Sequence, residues 1–241
     1  MLLYFTTVQS EKGRRLHQQA LDAQEGGDFL KALQLEDEAM LVYAQEKDEA
    51  GFAEIFAMRL LTLNHLGDRH NDKRFYVLGA HEALASLELS EMAGAEEQVA
   101  LAHGAVGRAM NRAEKFEEAA GHFDKAVEIL SRTSGPHSRK AVVADFKGQA
   151  ATNRLNAGKL DQEQVALAAL KELEAAGDAS DYEFKVWKSG GYMRLALGMH
   201  KNGKIEEAKK YLAQAEEIAK SDVALKVRRE QIEKMRQRLG L

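Results

Sequence analysis

One 11-residue stretch, Phe116-Glu-Glu-Ala-Ala-Gly-His-Phe-Asp-Lys-Ala126, constrains this chain more than any other, because it recurs. Ile205-Glu-Glu-Ala-Lys-Lys-Tyr-Leu-Ala-Gln-Ala215 has the same apolar spacing, and Phe29-Leu-Lys-Ala-Leu-Gln-Leu-Glu-Asp-Glu-Ala39 has most of it. A bulky residue is followed by alanines at +3 and +10, often with a second bulky residue at +7. A self-similar unit of this size builds its core by stacking on its neighbours, so the repeat decides the architecture first.

The bulky openers Phe29, Phe116, Leu160 and Ile205 serve as anchors. The first gap is about twice the others, which places a further repeat between them. Its anchor is Phe75 or its neighbour Lys73, after the loop Gly67-Asp-Arg-His-Asn-Asp72. Five repeats of about 44 residues result, a period that needs longer helices and longer loops than the common repeat of about 34. Turn residues precede the anchors: Gly26-Gly27-Asp28, Gly158-Lys159 and Gly203-Lys204. Glycine ends one helix there, and Asp28 can cap the next. A small residue, Ala20, Gly107, Ala151 or Ala196, lies nine positions before each clear anchor and lets paired helices approach closely.

Helix is favoured nearly everywhere by abundant Ala, Leu, Glu and Lys and by a single proline in 241 residues. No strand-length alternation appears. We expect helix pairs at 10–25 with 28–47, 50–66 with 72–90, 94–113 with 116–132, 138–157 with 161–177, and 181–202 with 205–220. A lone helix follows at 221–239. Short loops make paired helices antiparallel.

These residues resemble the tetratricopeptide repeat (TPR) family. The third repeat carries the likeness, with Val106-Gly107 and Met110 in one helix and Ala119-x3-Phe123 and Ala126 in the next. His103 and Ser131 stand where the family pattern has Trp and Pro, and Glu163 and Leu170 where it has Ala. Ala126–Val142, with its Gly135-Pro136-His137 turn, is similar to the inter-repeat linker of the long-period, kinesin light chain-like branch. The resemblance covers nearly all of residues 1–241 and implies one all-α domain. Its fold would be a right-handed α-α superhelix, a TPR-like solenoid of about five antiparallel pairs plus a capping helix. It also implies a concave groove, lined by the first helices, that takes a peptide or protein segment.

That groove would present Arg59, Asn64, Arg108, Asn111, Arg112, Thr152, Asn156, Arg194, His200 and Lys201. Arg108 and Arg112 are four apart on one helix face, and their guanidinium forks suit a carboxylate or phosphate. The Lys/Asn/Arg clamp of chaperone-binding members is not present as a set. The leading expectation is a non-enzymatic interaction scaffold. The alternative is a ligand- or peptide-responsive regulator of a bacterial signalling system.

Other chemistries find little support. There is no cysteine, so no disulfide or thiolate site can form. His65 and His70 flank Gly67, which we expect to end the helix between them, and they fit no common zinc pattern. Glu96-Glu97, Glu117-Glu118 and Glu206-Glu207 follow helix starts, where acids suit the helix dipole. No phosphate loop, nucleophile elbow or metalloprotease motif is present. We therefore expect no catalytic residues, metal or cofactor.

Net charge is −4, made of −8 before Lys220 and +4 from Lys220 to Leu241. An acidic body argues against nucleic acid. The basic positions Lys226, Arg228, Arg229, Lys234, Arg236 and Arg238 are weighed as a contact for an acidic partner. The stripe Leu225, Ile232, Met235 and Leu239 instead favours a capping helix. No run reaches the ~20 apolar residues that span a bilayer, and Met1–Val8 does not read as a signal peptide. We expect a cytoplasmic protein that does not enter membranes. Met1–Val8 is apolar enough to pack on the first pair or on a second copy, as in a homodimer.

Overall fold

Small residues set the spacing of the helices, and the positions of those residues repeat. In a computed structural model that describes residues 10–241, the expected all-α, TPR-like succession of helix pairs is found. Eleven helices form among the described residues: α1 (Glu11–Glu25), α2 (Phe29–Glu46), α3 (Glu49–His70), α4 (Arg74–Ala93), α5 (Glu96–Arg112), α6 (Phe116–Arg132), α7 (Lys140–Asn156), α8 (Gln162–Ala176), α9 (Asp181–Lys201), α10 (Ile205–Lys220) and α11 (Lys226–Leu239). No helix among the described residues is long and apolar enough to cross a membrane. Met1–Val8 lies outside the described residues.

The helix ends follow from local chemistry. Ser10, Asp28 and Asp48 accept hydrogen bonds from the backbone N–H of Gly13, Lys31 and Gly51, which satisfies orphan donors of the first turn. Ser180 and Glu183 form a reciprocal capping box at α9. Gly27, Gly158 and Gly203 take φ of 82°, 97° and 73° in the expected turns, a region that costs other residues strain.

The second helices bury the same face at the same spacing. The columns are Ala32/Glu36/Ala39/Tyr43 in α2, Gly79/Ala83/Ser86/Ser90 in α4 and Ala119/Phe123/Ala126/Leu130 in α6. They continue as Ala166/Leu170/Leu173 in α8 and Ala208/Leu212/Ala215/Ala219 in α10. All lie on one stripe because 4, 7 and 11 residues are near whole turns. Two anchors read from sequence move. The column of α4 is opened by Tyr76, not Phe75 or Lys73. Leu160 is 44% exposed and precedes α8, so the fourth repeat starts three residues later and Ala166 takes the alanine position.

Gly67 does not end a helix. It is buried within α3, which runs on to His70. A β-carbon there would lie 2.4 Å from Cε1 of Tyr76. The missing side chain is room for that ring.

The chain gathers into two bodies, one extending to Ala109 and one from Met110 to Leu241. In the first, Ala20, Leu35, Ala39, Tyr43, Ile55 and Met58 form a core between α1, α2 and α3. In the second, the core joins α7, α8, α9 and α10, and Ile232 of α11 closes it. Leu225 is buried just before α11, while Met235 is only partly buried. Ala20, Ala151 and Ala196 are 0–1% exposed, as close pairing requires.

Candidate binding face

First helices in each body are tied side by side by polar links about one repeat apart. In the first body, Glu54 of α3 accepts from Arg14 of α1, and Gln98 of α5 donates to it at 3.2 Å. In the second, Asn111 of α5 donates to Asn153 of α7 at 2.6 Å. Nearer the start of α7, Asp145 accepts from Arg194 of α9 at 2.7 Å and, on its other oxygen, from Gln149 at 2.7 Å.

The expected groove residues divide by how they are held. In the first body, Arg59 donates to Asp37 at 2.6 Å and to Glu82 at 3.3 Å, which turns it toward α2 and α4. Asn64 is buried and its Oδ1 has no partner. Arg108 is half-buried. In the second body, Thr152 is 2% exposed, and its hydroxyl donates to the carbonyls of Gly148 and Gln149 on its own helix. Arg112 is exposed and Asn156 half-buried, with Asn156 Oδ1 unpartnered. His200 Nε2 lies 3.0 Å from the carbonyl of Leu239. Lys201 sits 4.4 Å above the ring of Phe116 and 3.6 Å from Glu114. The second body therefore brings Asn111 to α7 and Arg194 to Asp145, and it holds His200 against the end of α11 and Lys201 beside Phe116.

Asp145, Gln149 and Asn153 were not singled out from the sequence. Their signal was there: with Asn156 they recur at one-turn intervals in an otherwise alanine-rich helix. Asp145, Gln149 and Asn153 are 8%, 5% and 2% exposed, so α7 carries a polar stripe through a nearly buried helix. Buried polar groups need partners, and the links to α5 and α9 supply them. A small cavity beside the stripe is lined by Asp145, Thr152, Leu170, Gly191, Arg194 and Leu195, among others.

Arg228 is also placed by the structure and not by its spacing. Instead of joining an exposed basic face, it reaches from α11 to α9. It donates to the carbonyl of Val186 at 3.0 Å, to Gln231 at 2.8 Å and to the sulfur of Met193 at 3.6 Å. Burial, with Arg194 as a like-charged neighbour, pulls its guanidinium down to about 10. Arg229 caps the end of α10 through the carbonyls of Ala219 and Asp222.

The histidines have structural surroundings. His65 stacks on Phe29 with centroids 5.0 Å apart, and His70 lies 6.2 Å from Phe75. Among the described residues no group of three or more His, Asp or Glu is gathered as metal ligands would be.

No family model and no curated protein sequence matches the chain. Solved structures do match in fold. BtubC (BKLC) from P. vanneervenii superposes with a TM-score of 0.54 at 22% identity, over 88% of this chain and 87% of that one. The apo form of RapI superposes with a TM-score of 0.55 at 15% identity, over 95% of this chain. The chain spans only 64% of RapI's length. At these identities the likeness is one of fold.

Proposed function

We propose that the chain is a non-enzymatic interaction module and that its second body receives a peptide or protein segment along α7 and α9. The supporting observation is the stripe Asp145, Gln149, Asn153 and Asn156, linked on either side to Asn111 and Arg194, with Asn156 Oδ1 and Arg194 Nε unpartnered. Asp145, Gln149 and Asn153 are buried and tied to one another and to α5 and α9, so in this reading they hold the face, and the half-buried Asn156 amide and Arg194 guanidinium supply its hydrogen-bonding groups. Exposed Arg112 follows Asn111 on α5. Of the other expected groove residues, Thr152, His200 and Lys201 act in this reading as supports or peripheral contacts, while Arg59, Asn64 and Arg108 belong to the first body.

A displayed library of random peptides, panned on the full chain, tests the reading. Binders should share a sequence preference, and a selected peptide should bind at least tenfold more weakly to the Asn156→Leu/Arg112→Glu variant. A selected peptide bound equally by that variant, with an unchanged melting temperature, removes the proposed face.

A further inference from the structure

Arg194 and Arg228 meet above Gly190. A β-carbon built at Gly190 would lie 3.3 Å from Nη1 of Arg194 and 3.4 Å from Nη2 of Arg228, so the glycine is the floor on which both guanidiniums rest. Only one carboxylate answers them among the described residues. Asp145 takes Nη2 of Arg194 with one oxygen and is occupied by Gln149 on the other. The partners of Arg228 are neutral: a carbonyl, an amide and a thioether. Both Nε–H groups are buried without an acceptor. Two cations and one anion leave a charge of +1 in a half-buried place. Like charges held together this way are unfavourable unless something negative arrives. The pair is not sealed off as a whole: the Arg194 side chain is 28% exposed and Arg228 is half-buried, although their Nε–H groups are buried.

A structural clamp between α9 and α11 would need only the bond from Arg228 to Val186. It would not need a second guanidinium on the same glycine, nor donors left without acceptors. Guanidinium pairs are suited to forked recognition of oxyanions.

We propose that Arg194 and Arg228 receive one carboxylate group of a bound peptide, either its C-terminal carboxylate or an Asp or Glu side chain, over Gly190. This rests on the reading of α7 and α9 as a peptide-binding face and names the ligand chemistry at one point of it. A single negative charge balances the cluster. A phosphate dianion would overshoot it and face the buried carboxylate of Asp145.

The test uses the full chain and four probes: the capped tripeptide Ac-Ala-Glu-Ala-NH2, the same peptide with Gln, Ac-Ala-Ala-Ala with a free C-terminus, and inorganic phosphate. Arginine Nε–H resonances report on the site directly. At least one carboxylate probe should shift the Arg194 and Arg228 Nε–H signals and bind about tenfold more tightly than the Gln peptide. Whether Glu or the free terminus binds better identifies the source. Arg228→Gln should abolish the preference. Gly190→Ala should weaken it while both charges remain, so the test does not depend on Arg228→Gln folding well. The proposal fails if the Gln peptide binds as tightly as both carboxylate probes or if no carboxylate probe binds at millimolar concentration. It also fails if phosphate outcompetes the carboxylates or if both variants keep the preference. Library peptides that are neutral and indifferent to Arg228→Gln would remove the carboxylate site and leave the peptide face standing.

Discussion

Thr62 donates its hydroxyl hydrogen to Glu36 Oε1 across 2.5 Å, inside the first body, and receives one from Gln24 at 2.7 Å. Glu36 is fully buried in the column that holds Phe123, Leu170 and Leu212 in other second helices. Its Oε2 has no partner. Burial pushes its carboxyl up to about 7, against which the Thr62 bond pulls only in part. The folded chain therefore holds a proton that the unfolded chain releases nearer pH 4.5, and stability falls as pH rises through 7. Glu36→Gln should remove that slope and raise stability at pH 8 by about 3 kcal/mol. Urea denaturation of both proteins at pH 5 and pH 8 measures it; parallel behaviour of the two would show that Glu36 is not protonated in the fold.

Phe123 is 1% exposed and lies 5.9 Å from the ring of Phe146, whereas Ile205, an anchor of the same sequence pattern, is 38% exposed. Phe123→Ala should cost about 3–5 kcal/mol through lost burial and a cavity. Ile205→Ala should stay within about 0.5–1 kcal/mol. Equal losses in chemical denaturation would mean that the repeat is held by its openers and not by its +7 column.

Gly198 lies against Leu155. A β-carbon there would sit 2.7 Å from both Cγ and Cδ2 of that fully buried leucine. Gly198→Ala gains about 1 kcal/mol of helix propensity and meets an overpacking cost of about 1–3 kcal/mol. We expect a net loss near 1 kcal/mol, which Leu155→Val in the same chain should reduce. A stabilised single mutant would show that α7 and α9 can move apart freely.

Glu183 accepts from Arg139 at 2.8 and 3.1 Å and from the backbone of Ser180 at 2.9 Å. The Arg139 bond leads the effects that bring its carboxyl down to about 2. Its contribution is present above the ordinary carboxylate range and is lost as pH falls from about 4.5 through 2. The side chain is 34% exposed, so solvent screening limits the effect to about 1 kcal/mol. Glu183→Gln should make acid unfolding less steep. An unaltered acid limb in a circular dichroism titration would count against the pair.

The helix pairs were readable because alanine at fixed intervals and glycine in the turns are local signals. Boundaries at Phe116, Asp181 and Ile205 matched for that reason. Leu160 looks like an opener because it is bulky and closely follows a glycine, yet α8 starts only at Gln162. Gly67 looked like a stop because sequence shows the missing side chain but not the Tyr76 ring that uses the space. Arg228 resembles its cationic neighbours in sequence because spacing along α11 cannot reveal Val186 on another helix. Sequence position alone points Arg59 and Thr152 toward a groove, and it cannot show their bonds to Asp37 and to Gly148, which packing sets.

The polar links between first helices join residues 40, 44, 42 and 49 positions apart, for Arg14–Glu54, Glu54–Gln98, Asn111–Asn153 and Asp145–Arg194. Each reaches the adjacent repeat and stops there. Damage at one link is therefore confined to its immediate neighbours, as in a fence whose rails each span a single pair of posts. Removing the Asp145–Arg194 rail takes nothing directly from the one between Arg14 and Glu54.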